Sequence, residues 1–181
     1  GNTNDENFSH IEGHEDHGVN FLFTYNADQK LTGMIVNLAC PSQVTENSRF
    51  LSADFWHEAR TEIRRSHGEN LFILPQCSAA GDQSPHLMLK KRAEERMLNL
   101  KGLGDGGKSD QASLKVMMAQ CQEIGNRIAT AADEVIPLAV KDIRENVVFN
   151  HVVTVIDLPR RMVTDSEKKI AIEKVKEHEK Q

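Results

Sequence analysis

The chain has 181 residues, a formal net charge of -5 at pH 7, and 39% hydrophobic against 27% charged residues. This balance is typical of a globular chain with one hydrophobic core. The net negative charge gives no indication of a nucleic-acid-binding surface. No apolar run approaches the roughly 18 residues that a membrane-spanning helix needs. The expected partner is therefore a small molecule or a protein.

Residues 1–18 form a polar N-terminal segment, and residues 19–181 are expected to form a single domain. His14 and His17 have HxxH spacing, but their glycine-flanked loop favours a solvated position over a metal site. The stretch VNFLFTY, which begins at Val19, alternates apolar and polar residues, NADQK supplies turn residues, and LTGMIVNLAC is apolar again. This pattern predicts a β-hairpin.

A strand-helix-strand unit is predicted next. The spacing of Phe55, Ala59 and Ile63 predicts a helix over residues 52–66 that Gly68 stops, and LFIL follows as a short apolar strand. Two strands joined in this way normally run parallel through a right-handed crossover. The fold class is therefore α/β with a mixed sheet and flanking helices, and the turns CPSQVTE and CSAAGDQSPH should share the ligand-binding edge.

The second half of the chain is predicted to be mainly helical. A helix over residues 85–100 precedes KGLGDGGKSD (residues 101–110), which matches GxGxxG but follows a charged helix, and so favours a flexible linker over a nucleotide loop. A long helix then runs until Pro137 interrupts it. The stretch VVFNHVVTVIDL is predicted as a strand, and Thr164 with Glu167 has capping-box spacing before a final helix.

The turn GDQSPH allows two interpretations that are compatible with each other. In the first, Ser84 is a helix N-cap and Pro85 occupies the first helical position. In the second, a hydroxyl at a helix N-terminus lies beside free backbone N–H groups that can stabilise an oxyanion. The three cysteines lie far apart without CxxC spacing, so they indicate neither a disulfide framework nor a zinc knuckle.

The ordered stretches VNLACPSQ, SADFWHEARTEIRR, LFILPQC and GDQSPH resemble the region of the neutral/alkaline ceramidase family that carries the GDxSP signature. The resemblance covers roughly residues 16 to 100. It implies hydrolysis of the amide bond of an N-acyl sphingoid or related lipid-like substrate at a zinc centre. It also suggests a secreted or periplasmic protein.

The resemblance implies a catalytic role for Ser84, with Asp82 beside it and with Gly81 and Pro85 shaping the turn. In the family this serine is assigned as nucleophile or transition-state partner. A zinc-bound water is the alternative attacking group, because zinc lowers the pKa of water to about 7.

Several positions depart from the family pattern. The zinc-binding histidine of its His-Pro element falls at Cys40, whose thiolate is itself a zinc ligand. Gln83 and His86 replace the usual Val and Asn, and Asp54 in the helix-opening segment is a further candidate. The resemblance places the remaining ligands outside residues 1–181, so we expect part of a larger catalytic domain. The rival class is a binding or structural domain that kept the fold and lost the zinc site.

Overall fold

The computed structural model describes Glu6, Phe8, His10, residues 13–103 and residues 110–179, with only the backbone for residues 110–112. The chain divides into two compact units, Gly1–Arg144 and Glu145–Gln181. The expectation of one domain over residues 19–181 stays a prediction.

The predicted hairpin is confirmed. Strand β1 (Val19–Tyr25) pairs antiparallel with β2 (Leu31–Leu38). The side-chain oxygen of Asn26 holds the connecting turn, because it accepts hydrogen bonds from the backbone N–H groups of Asp28 and Lys30. Such an Asx turn replaces backbone pairing where the chain reverses.

The crossover is also confirmed. Helix α1 (Phe55–His67) connects β2 to β3 (Phe72–Cys77), and β3 pairs parallel with β2 in a mixed sheet of order β1-β2-β3. The helix begins three residues later than predicted because the side chain of Asp54 caps it. It ends at Gly68, where φ is 114°. Glycine adopts this conformation without a steric penalty, so the predicted stop is correct.

Two helices cover one face of the sheet. The core joins alternate residues of β2 with α1 and with α3 (Asp110–Ala139). Its largest fully buried side chains are Met34, Val36, Phe55, Ile63 and Cys121. The opposite face leaves Leu22, Phe72 and Leu74 exposed. The alternation of side chains along the strands therefore buries one face of the sheet and leaves the other face exposed.

The helix predicted over residues 85–100 is shorter than expected, since α2 spans Lys91–Leu100. Lys90 precedes it with φ of 61°, a left-handed conformation that cannot continue a helix towards residue 85. The prediction that Ser84 is its N-cap is therefore wrong. Of the glycine-rich linker predicted over residues 101–110, residues 104–109 lie outside the described part of the chain.

Helix α3 continues past Pro137, where the sequence predicted an interruption. It ends at Ala139, and a short 3-10 turn, Val140–Asp142, follows. The proline lies within the last turn. Here its missing N–H and its ring disturb only the end of the helix, so the helix ends two residues later rather than at the proline.

The second unit contains one described helix, α4 (Asp165–His178). Thr164 and Glu167 form the predicted capping box, which is confirmed. The strand predicted over residues 147–158 is wrong, because the described sheet contains only β1 to β3 and this stretch has no ladder partner there. None of the helices described here is long and apolar enough to cross a membrane.

Candidate functional site

The turns that follow β2 and β3 meet at the carboxyl edge of the sheet. The backbone N–H of Ser78 donates to the carbonyl of Leu38 at 3.1 Å. Further along, Nε2 of His86 lies 2.8 Å from the carbonyl oxygen of Gln43 and 3.4 Å from a carboxylate oxygen of Glu46. The parallel crossover therefore brings the CPSQVTE and GDQSPH stretches into contact.

A cavity of about 230 Å³ opens at this edge beside the end of β2. Apolar side chains from the start of β1, the end of β2 and α3 line it together with polar side chains from four segments. The apolar residues are Val19, Leu38, Ala39, Ile124 and Ile128, and the polar ones are Asp16, His17, Cys40, Gln83 and Arg127. An apolar lining with a few polar groups is typical of a small-molecule site.

Ser84 lies in an exposed turn rather than at a helix N-terminus. Its Oγ accepts a hydrogen bond from the backbone N–H of His86 at 3.2 Å, which leaves the hydroxyl proton able to donate. Because α2 begins only at Lys91, the expected helix-terminal N–H groups are not beside Ser84. The oxyanion interpretation based on them is wrong.

The other residues of the turn lie in different environments. Asp82 is exposed and Pro85 is half-buried. Gln83 is half-buried, lines the cavity, and donates its backbone N–H to the carbonyl of Ala80 at 3.1 Å. A β-carbon at Gly81 would meet nothing within 4 Å, so packing does not require glycine there.

His86 has a defined tautomer in this arrangement. The Gln43 carbonyl can only accept, so the 2.8 Å contact places the proton on Nε2. In the neutral ring, Nδ1 is then the unprotonated nitrogen and can take a proton. The sequence pointed to His86 only as a departure from the family pattern, whereas the structure gives it an oriented ring.

Asp54 is a buried structural residue. One carboxylate oxygen accepts from the backbone N–H of Phe55 at 2.9 Å, and the other accepts from the backbone N–H and the hydroxyl of Thr45, each at 2.9 Å. These bonds connect the start of α1 to the turn after β2. Asp54 therefore stabilises the turn that carries the site. Both of its carboxylate oxygens already accept hydrogen bonds within the protein.

Cys40 is half-buried at the cavity, and the pKa of its thiol is raised by burial first, and then by Cys77 and Asp54. A raised pKa opposes the thiolate that zinc binds. Among the described residues, no group of three His, Cys, Asp or Glu side chains could hold a metal ion. Catalytic zinc normally takes three protein ligands, so the residues described do not by themselves complete the zinc centre that the resemblance implies.

Two residues of this edge were missed in the sequence. Ser78 follows β3, and its buried hydroxyl has no partner among the described residues. Arg127 enters the cavity wall from α3, and a Glu123 carboxylate lies 3.5 Å from it. The position of Ser78 directly after an apolar strand was a usable signal. Arg127 required knowledge of how α3 packs.

No protein-family model, curated protein or solved structure matches the chain.

Proposed function

We propose that this chain carries the substrate-binding edge of a ceramidase-like amide hydrolase, which acts on an N-acyl sphingoid or related lipid-like amide. The cavity supports this proposal most directly, because it combines an apolar lining with Cys40 and Gln83 from the two turns that carry the resemblance. Apolar side chains bind an acyl chain by the hydrophobic effect, and polar groups at the rim can orient an amide.

The attacking group is proposed to be Ser84 rather than a metal-bound water, because the Ser84 hydroxyl proton is able to donate and the Gln43 carbonyl orients the ring of His86. The Ser84 Oγ attacks the amide carbonyl carbon while Nδ1 of His86 takes its proton. The C–N bond breaks, the amine leaves with that proton, and water hydrolyses the acyl-serine ester. The Gln43 carbonyl supports this role, because it holds the proton of His86 on Nε2.

Binding is the first test, and it needs only the purified chain. A fluorescent short-chain N-acyl amide should bind with an affinity that Ile124→Gln weakens by about tenfold, because a polar group enters the apolar lining. Leu114→Gln on the same helix is the matched control, since Leu114 is exposed and does not line the cavity. Equal affinity in both variants would contradict binding at this cavity.

Hydrolysis is the second test, and it is measured on the longest natural form of the protein. Ser84→Ala and Ser84→Asp should both abolish release of the amine, whereas Ser42→Ala on the neighbouring exposed turn should retain it. A chelator should leave the rate unchanged. A rate that a chelator abolishes, and that survives in Ser84→Ala, would contradict the serine mechanism.

The second candidate is a non-catalytic binding domain that kept the fold. Cys40 at the position of the family's histidine favours it, together with the lack of a three-ligand group among the described residues. Under this candidate the amide probe binds at the cavity and Ile124→Gln weakens it, but no amine is released. Binding with turnover separates the hydrolase from this alternative.

A further inference from the structure

Residues 147–158 form an extended apolar surface in the second unit. Eight apolar side chains of this stretch are each at least 67% exposed: Val147, Val148, Phe149, Val152, Val153, Val155, Ile156 and Leu158. Folded monomers rarely expose contiguous apolar patches above a few hundred Å². Eight exposed apolar side chains within twelve residues indicate an interaction surface.

The same stretch has the composition of a strand. Valine, isoleucine, phenylalanine and threonine dominate it, and Pro159 ends it. Its backbone belongs to no helix and pairs with no strand of the described sheet. Backbone N–H and C=O groups beside such an apolar surface need hydrogen-bonding partners when the surface is buried. Another extended strand supplies both the backbone partners and the apolar cover.

We propose that residues 150–158 pair antiparallel with the same residues of a second copy of the chain, which makes a twofold-symmetric dimer. Pairing joins the backbones of the two strands, and the apolar side chains of both copies then lie side by side on the faces of the ribbon. The proposal does not depend on the hydrolase function.

The sequence of the stretch is self-complementary about Thr154. With the twofold axis at this residue, His151 of each copy lies opposite Asp157 of the other, and the threonines face each other. Val152 then pairs with Ile156. A histidine–carboxylate pair, a threonine pair and β-branched pairs each stabilise antiparallel strands, and a twofold interface contains every pair away from the axis twice.

Helix α4 of the same unit supplies cover for the paired strands. Ile170, Ile172 and Val175 are 45 to 57% exposed on this helix. A two-stranded ribbon is marginal in water, whereas strands that pack against a helix gain independent stability. In the proposed dimer the extended stretch supplies the strand pairing and α4 packs against the paired strands.

The experiment measures the mass of the full chain by sedimentation equilibrium across about 1–100 µM, a range that covers ordinary dimer affinities. The parent should be a dimer. Val153→Lys should be a monomer, since it places two ammonium groups beside the axis. Leu51→Lys, at a fully exposed apolar residue elsewhere, is the matched control and should remain a dimer.

A charge-reversal pair tests the register. His151→Asp places two carboxylates opposite each other at both ends and should raise the dimer dissociation constant at least about tenfold. Adding Asp157→Lys to that variant restores opposite charges, and should return the constant to within about threefold of the parent. Failure of this rescue would overturn the pairing about Thr154.

Hydrogen exchange completes the test. Amides of residues 150–158 should be protected in the parent dimer and should exchange freely in Val153→Lys. A parent that stays monomeric at 100 µM would overturn the proposal, whether its amides are protected by another part of its own chain or exchange freely. Open-ended growth beyond a dimer would overturn it as well.

Discussion

A β-carbon at Gly125 on α3 would lie 2.6 Å from the Cβ of Glu58 on α1 and 2.8 Å from the backbone nitrogen of Ala59. Real Cβ atoms essentially never approach so closely, so the helices touch backbone to backbone at this point. The contact fixes how near α3 can approach the sheet. It therefore fixes the wall of the cavity that Ile124, Arg127 and Ile128 supply.

Gly125→Ala should destabilise the protein. The methyl group meets backbone atoms rather than a flexible side chain, so it forces α1 and α3 apart at a cost of about 2–3 kcal/mol, while alanine recovers about 1 kcal/mol of helix propensity. We expect a net loss of about 1–2 kcal/mol in the free energy of urea unfolding. Gly81→Ala is the control and should change stability by less than about 0.5 kcal/mol, because nothing lies within 4 Å of its β-carbon. An unchanged Gly125→Ala protein would contradict the close helix contact.

The strained backbone of Asp54 predicts an unusual order of stability among three substitutions at this position. Its backbone has φ of 54° and ψ of -148°, a strained conformation for any residue except glycine. Asp54→Ala should cost about 3 kcal/mol, because it leaves the N–H groups of Phe55 and Thr45 without their acceptor and retains the strain. Asp54→Gly should cost about 1 kcal/mol less, because it loses the bonds but relieves the strain. Asp54→Asn keeps one acceptor oxygen and should cost least.

Chemical unfolding of the three variants measures this order directly. Ser52→Ala is a suitable reference, since its hydroxyl accepts only from the backbone N–H of Asp54 and its loss should cost about 1 kcal/mol. If glycine proved more damaging at position 54 than alanine, the strained conformation would be contradicted. Equal stability of the asparagine variant and the parent would contradict the three carboxylate hydrogen bonds.

The sequence predicted the elements of residues 19–77 well because the rules that apply there are mostly local. Alternation in VNFLFTY and the glycine at 68 depend on neighbours within a few positions, and the crossover follows from strand and helix order. The stretch around Ser84 failed for a tertiary reason. Its local residue pattern favours a helix N-cap at Ser84. However, the His86 ring is hydrogen-bonded to the Gln43 carbonyl, 43 positions away in sequence. The chain stays non-helical as far as Lys90.

The strand predicted over residues 147–158 failed for a related reason. Composition and alternation describe what a segment can pair with, but a strand exists only when its partner is present. The candidate site shows the same limit. Cys40 and Gln83 were found from local pattern and resemblance, whereas Arg127 reaches the cavity from α3, which is more than 40 residues further along the chain.

His86 should hold the two turns of the site together. His86→Ala removes the 2.8 Å bond to Gln43, and should cost about 0.5–1.5 kcal/mol, the ordinary net value of one hydrogen bond. Most of this cost should be local, so amides of residues 78–89 should exchange faster while those of the β2 and β3 ladder remain protected. His57, an exposed histidine on α1, supplies the control His57→Ala. Unchanged exchange in residues 78–89 would contradict the link.

Cys77 and Cys121 should differ sharply in their reactivity with thiol reagents, because the thiolate is the nucleophile and burial opposes its formation. Cys77 is exposed, whereas Cys121 is 1% exposed and burial, followed by Asp54 and Glu58, raises its pKa from an ordinary 9.0 to about 12. At pH 8, a thiol reagent should label Cys77 rapidly and Cys121 only after unfolding. Mass spectrometry of digested protein reads each site separately. Labelling of Cys121 at the rate of Cys77 in folded protein would contradict its burial.

The raised pKa of Cys121 also makes stability depend on pH in a defined direction. In the unfolded chain the thiol ionises near pH 9.0, while in the folded protein it keeps its proton to about pH 12. The unfolded state therefore binds fewer protons between these values, and stability falls as the pH rises, by up to about 1.4 kcal/mol per pH unit. Other groups titrate in the same range, so the quantity to measure is the difference in unfolding free energy between the parent and Cys121→Ala.

The Cys121→Ala variant should lose a constant amount of stability for the missing sulfur, but its unfolding free energy should decline less steeply between pH 9 and 11. Parallel curves for the two proteins would show that the thiol ionises equally in both states.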